Sequence, residues 1–490
     1  MEIANKIFSN KYSVYGAAFL SGLLAFLSDF PNPIPWLAWI APVPVLVAAI
    51  YRGFPNAYFL GIIYIIPAFM GSMLINLPFF MPMFVRISLF LFVVIIFSLV
   101  FFLTIYLIHR LGIYLAPWIN AFAVIAFAFS LQDLPNLGHG LALASAQFNL
   151  PLVRSIASIG GDNLIVFSLY LFSGSLAAII LDRSKKTLFS SGFAFILIIA
   201  FMLWGSATLE RNKDPEKLKV AAIAINFNKE ILGRVWDIKK VQSADTWIVF
   251  DEYEKLSRLA ASQGASIISW PEYGLWVLPE DIDLFKSKVK TLAVETKSVI
   301  SAGYIDIKNK ENNLLLAGPD GEKEIYSKHH LVLGGESLWQ KAGEKPFGLI
   351  KINKLAVIVA SRICFDNDFR LENRDASLMG ADIFLAPSSD DIDMAEMHGA
   401  SHALLATENG IPLIRPTLTG RTIIVDYDGT IIAESKKYQP GSVNMIVGEV
   451  TINKKSTPYR IAGNWIVYVS IIGVLLMIAF SSFKKDHRIA

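Results

Sequence analysis

The chain has 490 residues, of which 54% are hydrophobic and only 17% are charged. A composition this apolar excludes an ordinary water-soluble globule of the same length and predicts membrane-spanning segments. The net charge of +3 is explained by basic residues that flank the apolar segments, so it indicates no nucleic-acid partner.

The apolar residues lie before residue 210 and again at the C-terminal end. Residues 56–85 and 87–108 contain no charged side chain, and each stretch is long enough to cross about 30 Å of hydrocarbon. The pattern predicts about eight spans, at 12–27, 35–50, 57–75, 84–107, 115–129, 163–181, 188–204 and 465–483. The predicted domains are therefore a seven-span membrane domain (1–210), a globular domain (211–455), and a closing span with its tail (456–490).

Basic residues between the predicted spans indicate the orientation. Arg52, Arg110, Arg183 and Lys485 all fall on one side of the membrane, together with the basic N-terminal residues. By the positive-inside rule both termini are cytoplasmic, and the globular domain lies on the opposite, outer side.

The globular segment alternates short β-branched runs with longer amphipathic stretches. Strands are predicted at 219–225, 266–269, 298–304, 355–363, 383–386, 413–416 and 422–426. Helices are predicted at 240–263, 281–296 and 398–409. Interleaved helices and strands of this kind favour a layered domain that contains both.

Three candidate catalytic residues stand next to predicted strands. Cys364 is the only cysteine and ends an apolar run, where a sheet can present a nucleophile to a cleft. Glu272 follows another strand and is a candidate general base. Lys328 is a candidate for lowering the thiol pKa and stabilising an oxyanion. Arg362, two residues before the cysteine, is also expected to favour the thiolate.

The order of these residues resembles the nitrilase superfamily, whose members carry a Glu–Lys–Cys triad on an α-β-β-α sandwich. Trp270-Pro271-Glu272 is similar to the glutamate motif of that superfamily. Lys328, with Leu331-Val332 and Gly335-Glu336, is similar to the lysine motif, and Cys364-Phe365-Asp366 to the cysteine motif. The resemblance implies catalytic roles for Glu272, Lys328 and Cys364, with Glu336 and Asp366 as supporting carboxylates.

The membrane segments make the resemblance more specific, because they match the arrangement of one family within the superfamily. Seven spans, an outer nitrilase-like domain and one closing span are similar to the bacterial apolipoprotein N-acyltransferase family, as are Gly463-Asn464-Trp465 and Ile159-Gly160-Gly161. The resemblance implies acyl transfer from a phospholipid, through a cysteine thioester, to the α-amino group of a diacylglyceryl-cysteine on a lipoprotein. It implies a multi-pass protein of the bacterial inner membrane, with its catalytic domain on the periplasmic side. No cofactor is implied.

Three segments depart from the family pattern, one of them Ala224 to Asn228, which replaces the Gln-Gly-Asn expected after the first strand. Phe365-Asp366 stands where the acyltransferases carry Tyr-Glu, and Pro387 to Asp393 replaces the expected Asn-Asp-Ala-Trp-Phe-Gly. Such loops would line the entrance to the active site. Because they differ from the family pattern, the sequence does not identify the headgroup of the donor, the length of the acyl chain or the acceptor.

Other candidate residues concern the entrance to the active site and a metal site. Trp236 and Trp276 are candidates for lining an acyl or peptide cleft, although core packing is an equal alternative. His398 and His402 are four residues apart with Glu396 nearby, but the ligand set is incomplete, so no metal is expected.

Two other functions remain open from the sequence. A membrane-tethered amidase or nitrilase would share the triad and use water as the second acceptor. A transporter or scaffold with an inactive outer domain would place ionisable residues within the spans, and these spans contain almost none.

Overall fold

The computed structural model describes residues 7–8, 10–30, 33–70, 83–132, 143–210, 215–226, 241–390, 392–435, 441–453 and 455–483. The chain divides into two compact units, one formed by Met1–Thr208 with Ala462–Ala490 and the other by Leu209–Ile461. The helices of the described residues, in chain order, are α1 (Lys11–Leu27), α2 (Leu37–Ile40), α3 (Val43–Arg52), α4 (Ala57–Met70), α5 (Met83–Leu111), α6 (Ala116–Gln132), α7 (Leu143–Ala146), α8 (Pro151–Ser155), α9 (Ala157–Leu181), α10 (Lys185–Thr208), α11 (Ser243–Ser262), α12 (Ile282–Thr296), α13 (Arg370–Leu378), α14 (Ala395–Asn409), α15 (Pro458–Ala462) and α16 (Trp465–Phe483).

The first unit is a bundle of apolar helices. Among the described residues, four helices are long and apolar enough to cross a membrane, namely α5, α9, α10 and α16. Shorter apolar helices occupy the other predicted spans. The predicted span 35–50 is divided into α2 and α3 at Pro42, because proline lacks the N–H that would continue the helix. The end of the predicted span 57–75 lies outside the described residues.

A kink near the start of α9 links this helix to the last one. Gly160 and Gly161 leave the helical conformation, and Gly161 has a φ of +71°, a region that glycine adopts without steric cost. The carbonyl of Ile159 accepts a hydrogen bond from Trp465 Nε1 at 3.0 Å. At the break in α9, the Ile159 carbonyl is thus hydrogen-bonded to the Trp465 indole of α16.

The described residues of the second unit form two large sheets and one sheet of two strands. The strands are β1 (Glu216–Ile225), β2 (Ile267–Ser269), β3 (Leu275–Val277), β4 (Val299–Asp306), β5 (Glu311–Ala317), β6 (Lys323–Ser327), β7 (Gly348–Ile352), β8 (Val357–Ser361), β9 (Ile383–Leu385), β10 (Ser388–Ser389), β11 (Leu413–Arg415), β12 (Thr417–Leu418), β13 (Ile423–Val425), β14 (Ile431–Glu434) and β15 (Val443–Ile452). Among the described residues, the first sheet has the order β15-β1-β2-β4-β5-β6, with β3 also paired to β4, and the second has the order β14-β13-β11-β9-β8-β7. Each sheet has a parallel centre, β1-β2-β4 and β8-β9-β11, flanked by antiparallel strands.

The alternation of side chains along β1 explains the layers. Val220 and Ala222 point into a core shared with residues of the second sheet, such as Val359. Ala221 and Ile223 point the other way, into a core formed with helices α11 and α12. Because successive side chains of a strand face opposite sides, one apolar strand fills two cores. On the second sheet, α14 packs against β11 and β13, which completes an α-β-β-α sandwich.

The predicted strands and helices of this unit all correspond to observed ones, with ends displaced by a few residues. The prediction missed most of the antiparallel strands, including β5, β6, β7, β14 and β15. The carboxyl ends of β2 and β8, and the segment after β6, carry the candidate catalytic residues.

Candidate active site

Glu272 lies in the turn between β2 and β3. Trp270, two residues earlier, is fully buried and stacks on Tyr253 with ring centroids 4.7 Å apart. Gly303 on β4 lies directly beneath the Pro271 carbonyl, where any Cβ would collide. The aromatic packing and the missing side chain together hold the Glu272 turn against the sheet.

Lys328 follows β6 directly, and its main chain is fixed on both sides. Its N–H donates to the Asn312 carbonyl at 2.8 Å, and its carbonyl accepts from the Gly343 N–H at 2.7 Å. The side chain is buried, which is rare for lysine unless it is paired.

Cys364 begins a short 3₁₀ turn, Cys364–Asp368, just after β8. Its N–H donates to the Pro387 carbonyl at 2.8 Å, and its φ is +48°. This left-handed conformation costs a non-glycine residue on the order of 1 kcal/mol or more, and such residues are found disproportionately at functional sites. The thiol is buried, with its Sγ 3.8 Å from the Ser389 carbonyl.

The structure brings the three predicted catalytic side chains together. Lys328 Nζ donates to Glu272 Oε1 at 2.8 Å and to Glu336 Oε1 at 2.7 Å. The Cys364 thiol and the Glu272 carboxyl are close enough for each to shift the pKa of the other. The Glu272 carboxyl, the Lys328 ammonium and the Cys364 thiol thus lie in one buried cluster, and Glu336 is the second carboxylate partner of Lys328.

Glu272 has further partners that hold its carboxylate in place. Oε1 also accepts from the Asn312 side-chain amide at 2.7 Å, and Oε2 accepts from the Ser389 N–H at 2.8 Å. Neither residue is predicted from the sequence. Asn312 stands within an unpredicted strand, and the contribution of Ser389 is a main-chain group that any residue would supply.

Burial and neighbouring charges set the protonation of the cluster. Burial raises the pKa of Glu272 to about 7, although the Lys328 ammonium opposes the shift. Burial lowers the pKa of Lys328, but the Glu272 and Glu336 carboxylates outweigh it and raise that pKa well above its ordinary value. Burial and the Glu272 charge raise the pKa of the Cys364 thiol. The resting nucleophile is therefore a neutral thiol beside a carboxylate that can accept its proton near pH 7.

The expectation that Arg362 favours the thiolate is wrong. Its guanidinium donates to the carbonyls of Pro346 and Phe369 and pairs with Glu372. These contacts brace the segment before the nucleophile turn and leave the thiol pKa raised. Lys328 is the cation whose charge lowers that pKa, and burial outweighs it.

Asp366 joins the nucleophile turn to the lysine segment. Its Oδ1 accepts from the His330 N–H at 2.6 Å, and its Oδ2 accepts from the Tyr326 hydroxyl at 2.8 Å and the Ile363 N–H at 3.1 Å. Tyr326 and His330 flank Lys328 in the sequence, so this buried carboxylate fixes the position of the thiol relative to the ammonium.

Of the two tryptophans predicted at the substrate mouth, Trp276 is a buried residue of β3, and Trp236 lies outside the described residues. Trp276 stacks between Tyr273 and Trp339, with ring centroids 5.8 Å away on each side. The Tyr273 hydroxyl donates to Glu336 Oε1 at 2.6 Å. Trp276 therefore supports the Lys328–Glu336 pair through Tyr273. Trp339, which the sequence analysis missed, is the more accessible ring of the stack.

His398 and His402 share one face of α14, as their spacing indicates, and their ring centroids are 4.1 Å apart. Their nitrogens and an oxygen of Asp368 lie within 4.8 Å of one another. Glu396 instead pairs with Arg421. His402 Nδ1 accepts a hydrogen bond from Arg415 Nε at 3.0 Å, so the proton of a neutral ring is on Nε2, where a metal would need a lone pair. This donor set does not fit a metal ion.

A thiol, a carboxylate and an ammonium at strand ends of an α-β-β-α sandwich define a carbon–nitrogen hydrolase domain. The sequence profile of the carbon-nitrogen hydrolase family matches residues 219–456. The chain is 27% identical over 393 residues to an apolipoprotein N-acyltransferase of Photobacterium profundum, covering 72% of this chain and 69% of the relative. It is 26% identical over 522 aligned positions to one of Geobacter metallireducens, covering 96% of both. Residues 219–456 therefore match the carbon–nitrogen hydrolase family, and most of the chain is similar to apolipoprotein N-acyltransferases.

A solved amidase structure from a Nesterenkonia species is also similar. It shares 18% sequence identity with a TM-score of 0.39, and the match covers 51% of this chain and 96% of the amidase.

Proposed function

We propose that this protein transfers an acyl chain from a phospholipid to the α-amino group of the N-terminal diacylglyceryl-cysteine of lipoproteins, through a thioester on Cys364. The observation that carries the proposal is the buried contact of Lys328 and Glu272 beside the only thiol of the chain. Similarity to apolipoprotein N-acyltransferases supports the choice of substrates.

In the first half-reaction, Cys364 Sγ attacks the ester carbonyl of the phospholipid as Glu272 accepts the thiol proton. The Lys328 ammonium stabilises the negative charge that develops on the carbonyl oxygen. The carbon–oxygen bond of the ester then breaks, and Glu272 returns the proton to the departing lysophospholipid oxygen. The product is a thioester between the acyl chain and Cys364.

In the second half-reaction, the α-amine of the lipoprotein attacks the thioester carbonyl. Glu272 accepts a proton from the attacking nitrogen and delivers it to the sulfur as the carbon–sulfur bond breaks. The raised pKa of Glu272 suits a group that must both accept and donate a proton near neutral pH. Burial of Glu272, Lys328 and Cys364 supports the proposal because it limits the water that would hydrolyse the thioester.

The proposed setting is the bacterial inner membrane, with eight spans and the nitrilase-like domain on the periplasmic side. The proposed division is a membrane domain over 1–210, a catalytic domain over 211–455, and a closing span with its tail over 456–490. The distribution of lysine and arginine between the apolar segments supports this orientation. A lipid-anchored donor and acceptor are both available to a site held at that surface.

The deciding experiment is intact-protein mass spectrometry after incubation with phospholipid alone. We expect an acyl adduct that maps to Cys364 and is absent from Cys364→Ala. A lipopeptide with a free α-amine should discharge the adduct and become N-acylated, whereas the same lipopeptide with an acetylated amine should not. Absence of an adduct, together with steady hydrolysis of a short soluble amide, would contradict acyl transfer and favour the membrane-tethered amidase.

A further inference from the structure

Five buried side chains form a closed ring behind the nucleophile turn: Arg415, Asp390, His398, Asp368 and His402. Arg415 Nη2 donates to both Asp390 oxygens, at 2.7 and 2.8 Å, and Asp390 Oδ1 is 2.6 Å from His398 Nδ1. His398 Nε2 and His402 Nε2 lie 3.6 and 3.4 Å from Asp368 Oδ1. Arg415 Nε closes the ring by donating to His402 Nδ1.

The donors and acceptors of the ring specify its charges. Arginine has no acceptor, so His402 accepts at Nδ1 and presents Nε2–H to Asp368. His398 lies between two carboxylates, with Nδ1 2.6 Å from Asp390 and Nε2 3.6 Å from Asp368, which favours a proton on both nitrogens and hence a positive charge. Two cations, two carboxylates and one neutral imidazole sum to zero, as a buried cluster requires.

The protonation energetics agree with this assignment. Burial lowers the pKa of His398, but the carboxylates of Asp390 and Asp368 outweigh it and raise that pKa to about 9. Burial and the positive charge of His398 lower the pKa of His402 well below its usual value. Arg415 and His398 overcome the effect of burial on Asp390 and lower its pKa. Among the described residues, the charged and titratable groups close to His398 include Asp390, Asp368, Arg415, His402 and Cys364.

The ring connects the two loops on which the reaction depends. Asp368 ends the turn that begins at Cys364. Asp390 follows Ser389, whose N–H holds Glu272 Oε2 and whose carbonyl lies 3.8 Å from Cys364 Sγ. Cys364 Sγ, an Asp390 oxygen and a His398 nitrogen lie within 4.8 Å of one another. A shift of either loop would change the distance between the thiol and its base.

We propose that His398 is a positioning residue of the active site, which joins Asp390 to Asp368 and thereby fixes the Ser389 main chain, and with it Glu272, relative to Cys364. This role rests on the proposed function of Glu272 as the base for the thiol. His398 itself transfers no proton to or from substrate.

The test uses the full-length protein in detergent and needs no lipid substrate. Because the chain has one cysteine, the rate of alkylation by iodoacetamide reports on Cys364 alone. His398→Asn by itself removes a positive charge from beside Asp368 and Asp390 and therefore risks unfolding. The double variant His398→Asn/Asp368→Asn removes one charge of each sign and keeps the ring neutral, so it is the variant that decides.

We expect the folded double variant to alkylate about 10- to 100-fold more slowly at neutral pH, as a misplaced base would cause. We also expect it to lose the inflection near pH 7 that Glu272 gives to the wild-type rate. The matched control is Thr407→Val on α14, a buried residue whose hydroxyl has no hydrogen-bond partner among the described residues, and it should alkylate at the wild-type rate.

A folded double variant with the wild-type rate and pH profile would show that the ring is only structural and would overturn the proposal. Tight binding of one Zn²⁺ by the wild type, lost in the double variant, would overturn it in favour of a metal site. A wild-type protein that alkylates with the Glu272-dependent profile yet forms no thioester with phospholipid would contradict the proposed substrates and leave the positioning role intact.

Discussion

At the scale of single residues, the site depends on one ammonium that satisfies two buried carboxylates. Lys328 Nζ contacts Glu272 and Glu336, and all three side chains are largely or fully buried. Removing one member of a buried ion pair is costly because it leaves an uncompensated charge. The proposed catalytic role and the stability of the fold therefore depend on the same group, and a variant of it must be assayed for both.

The first prediction concerns Lys328→Met. We expect the rate of thioester formation to fall about 10²- to 10³-fold, since the oxyanion loses its cation. We expect the free energy of unfolding to fall by about 3–5 kcal/mol, since two carboxylates lose theirs. Rapid-quench kinetics and denaturant unfolding measure the two effects. The control is Lys345→Met, which removes an exposed ammonium paired with Glu324 at 2.8 Å and should change neither quantity; an active, stable Lys328→Met protein would contradict the assignment.

The second prediction concerns the pH dependence of thioester formation. The pKa of Glu272 is raised to about 7, and only its carboxylate form can accept the thiol proton. The rate should therefore be low in acid and rise as the pH increases through about 7. Single-turnover measurements between pH 5.5 and 8.5 should show this inflection. In Glu272→Gln the rate should be very low and without the inflection, and a wild-type inflection that persists in this variant would assign the titration to another group.

At the scale of secondary-structure elements, the site is built where strands end and where the backbone adopts uncommon conformations. Tyr273 and Cys364, on the glutamate and cysteine segments, both have a positive φ. Gly303 allows the Pro271–Glu272 turn to lie against β4. The placement of the catalytic side chains is thus a property of the turns that join the strands to their neighbours.

The third prediction tests this packing. Gly303→Ala adds a methyl group that would collide with the Pro271 carbonyl, so the Glu272 turn must shift. We expect thioester formation to fall about 10²-fold, with the domain still folded by circular dichroism. Gly399→Ala on α14 is the matched control, because its added methyl would meet the Arg421 side chain at an ordinary 3.6 Å. An unchanged rate in Gly303→Ala would mean that the turn tolerates displacement.

The pattern of burial along each strand explains which elements could be predicted from the sequence. Central strands such as β4 are apolar on both faces and buried throughout, so a continuous apolar run identifies them. Strands such as β6 and β15 mix exposed, partly buried and buried residues, and β15 contains Gly448, so their sequence signal is weak. The motif residues Glu272, Lys328 and Cys364 were predicted from their order, whereas Asn312 and the Ser389 N–H depend on tertiary pairing and carry no local signature.

At the scale of the whole molecule, the composition of the apolar helices agrees with a membrane protein. Among the described residues, four helices have the length and hydropathy to span a bilayer. The remaining apolar helices are shorter, and helix tilt and local bilayer thickness decide whether such segments span. The number of spans and the side on which the globular domain lies are therefore questions for topology mapping.

The fourth prediction concerns topology. A reporter fused after Ala490 should indicate the cytoplasm, and one inserted at Gly321, in the exposed turn between β5 and β6, should indicate the outer side. Gly321 has no heavy atom within 4 Å of the position of a Cβ. A site near Asn312 is unsuitable because that residue is buried against Glu272. An insertion at Gly53, beside Arg52, is the cytoplasmic control, and a cytoplasmic signal at Gly321 would reverse the proposed orientation.

The pairing of β1 with β15 has a consequence for how the protein is made. These strands are the first and last of the globular unit, yet they are hydrogen-bonded neighbours from Glu216↔Ile452 to Ile225↔Val443. The ribosome therefore releases one partner long before it has synthesised the other, and until then β1 presents an open edge that invites pairing with other chains. A nascent chain of this kind requires protection until its last strand is made, and a premature stop codon before Val443 should yield aggregated protein rather than a shortened, folded one.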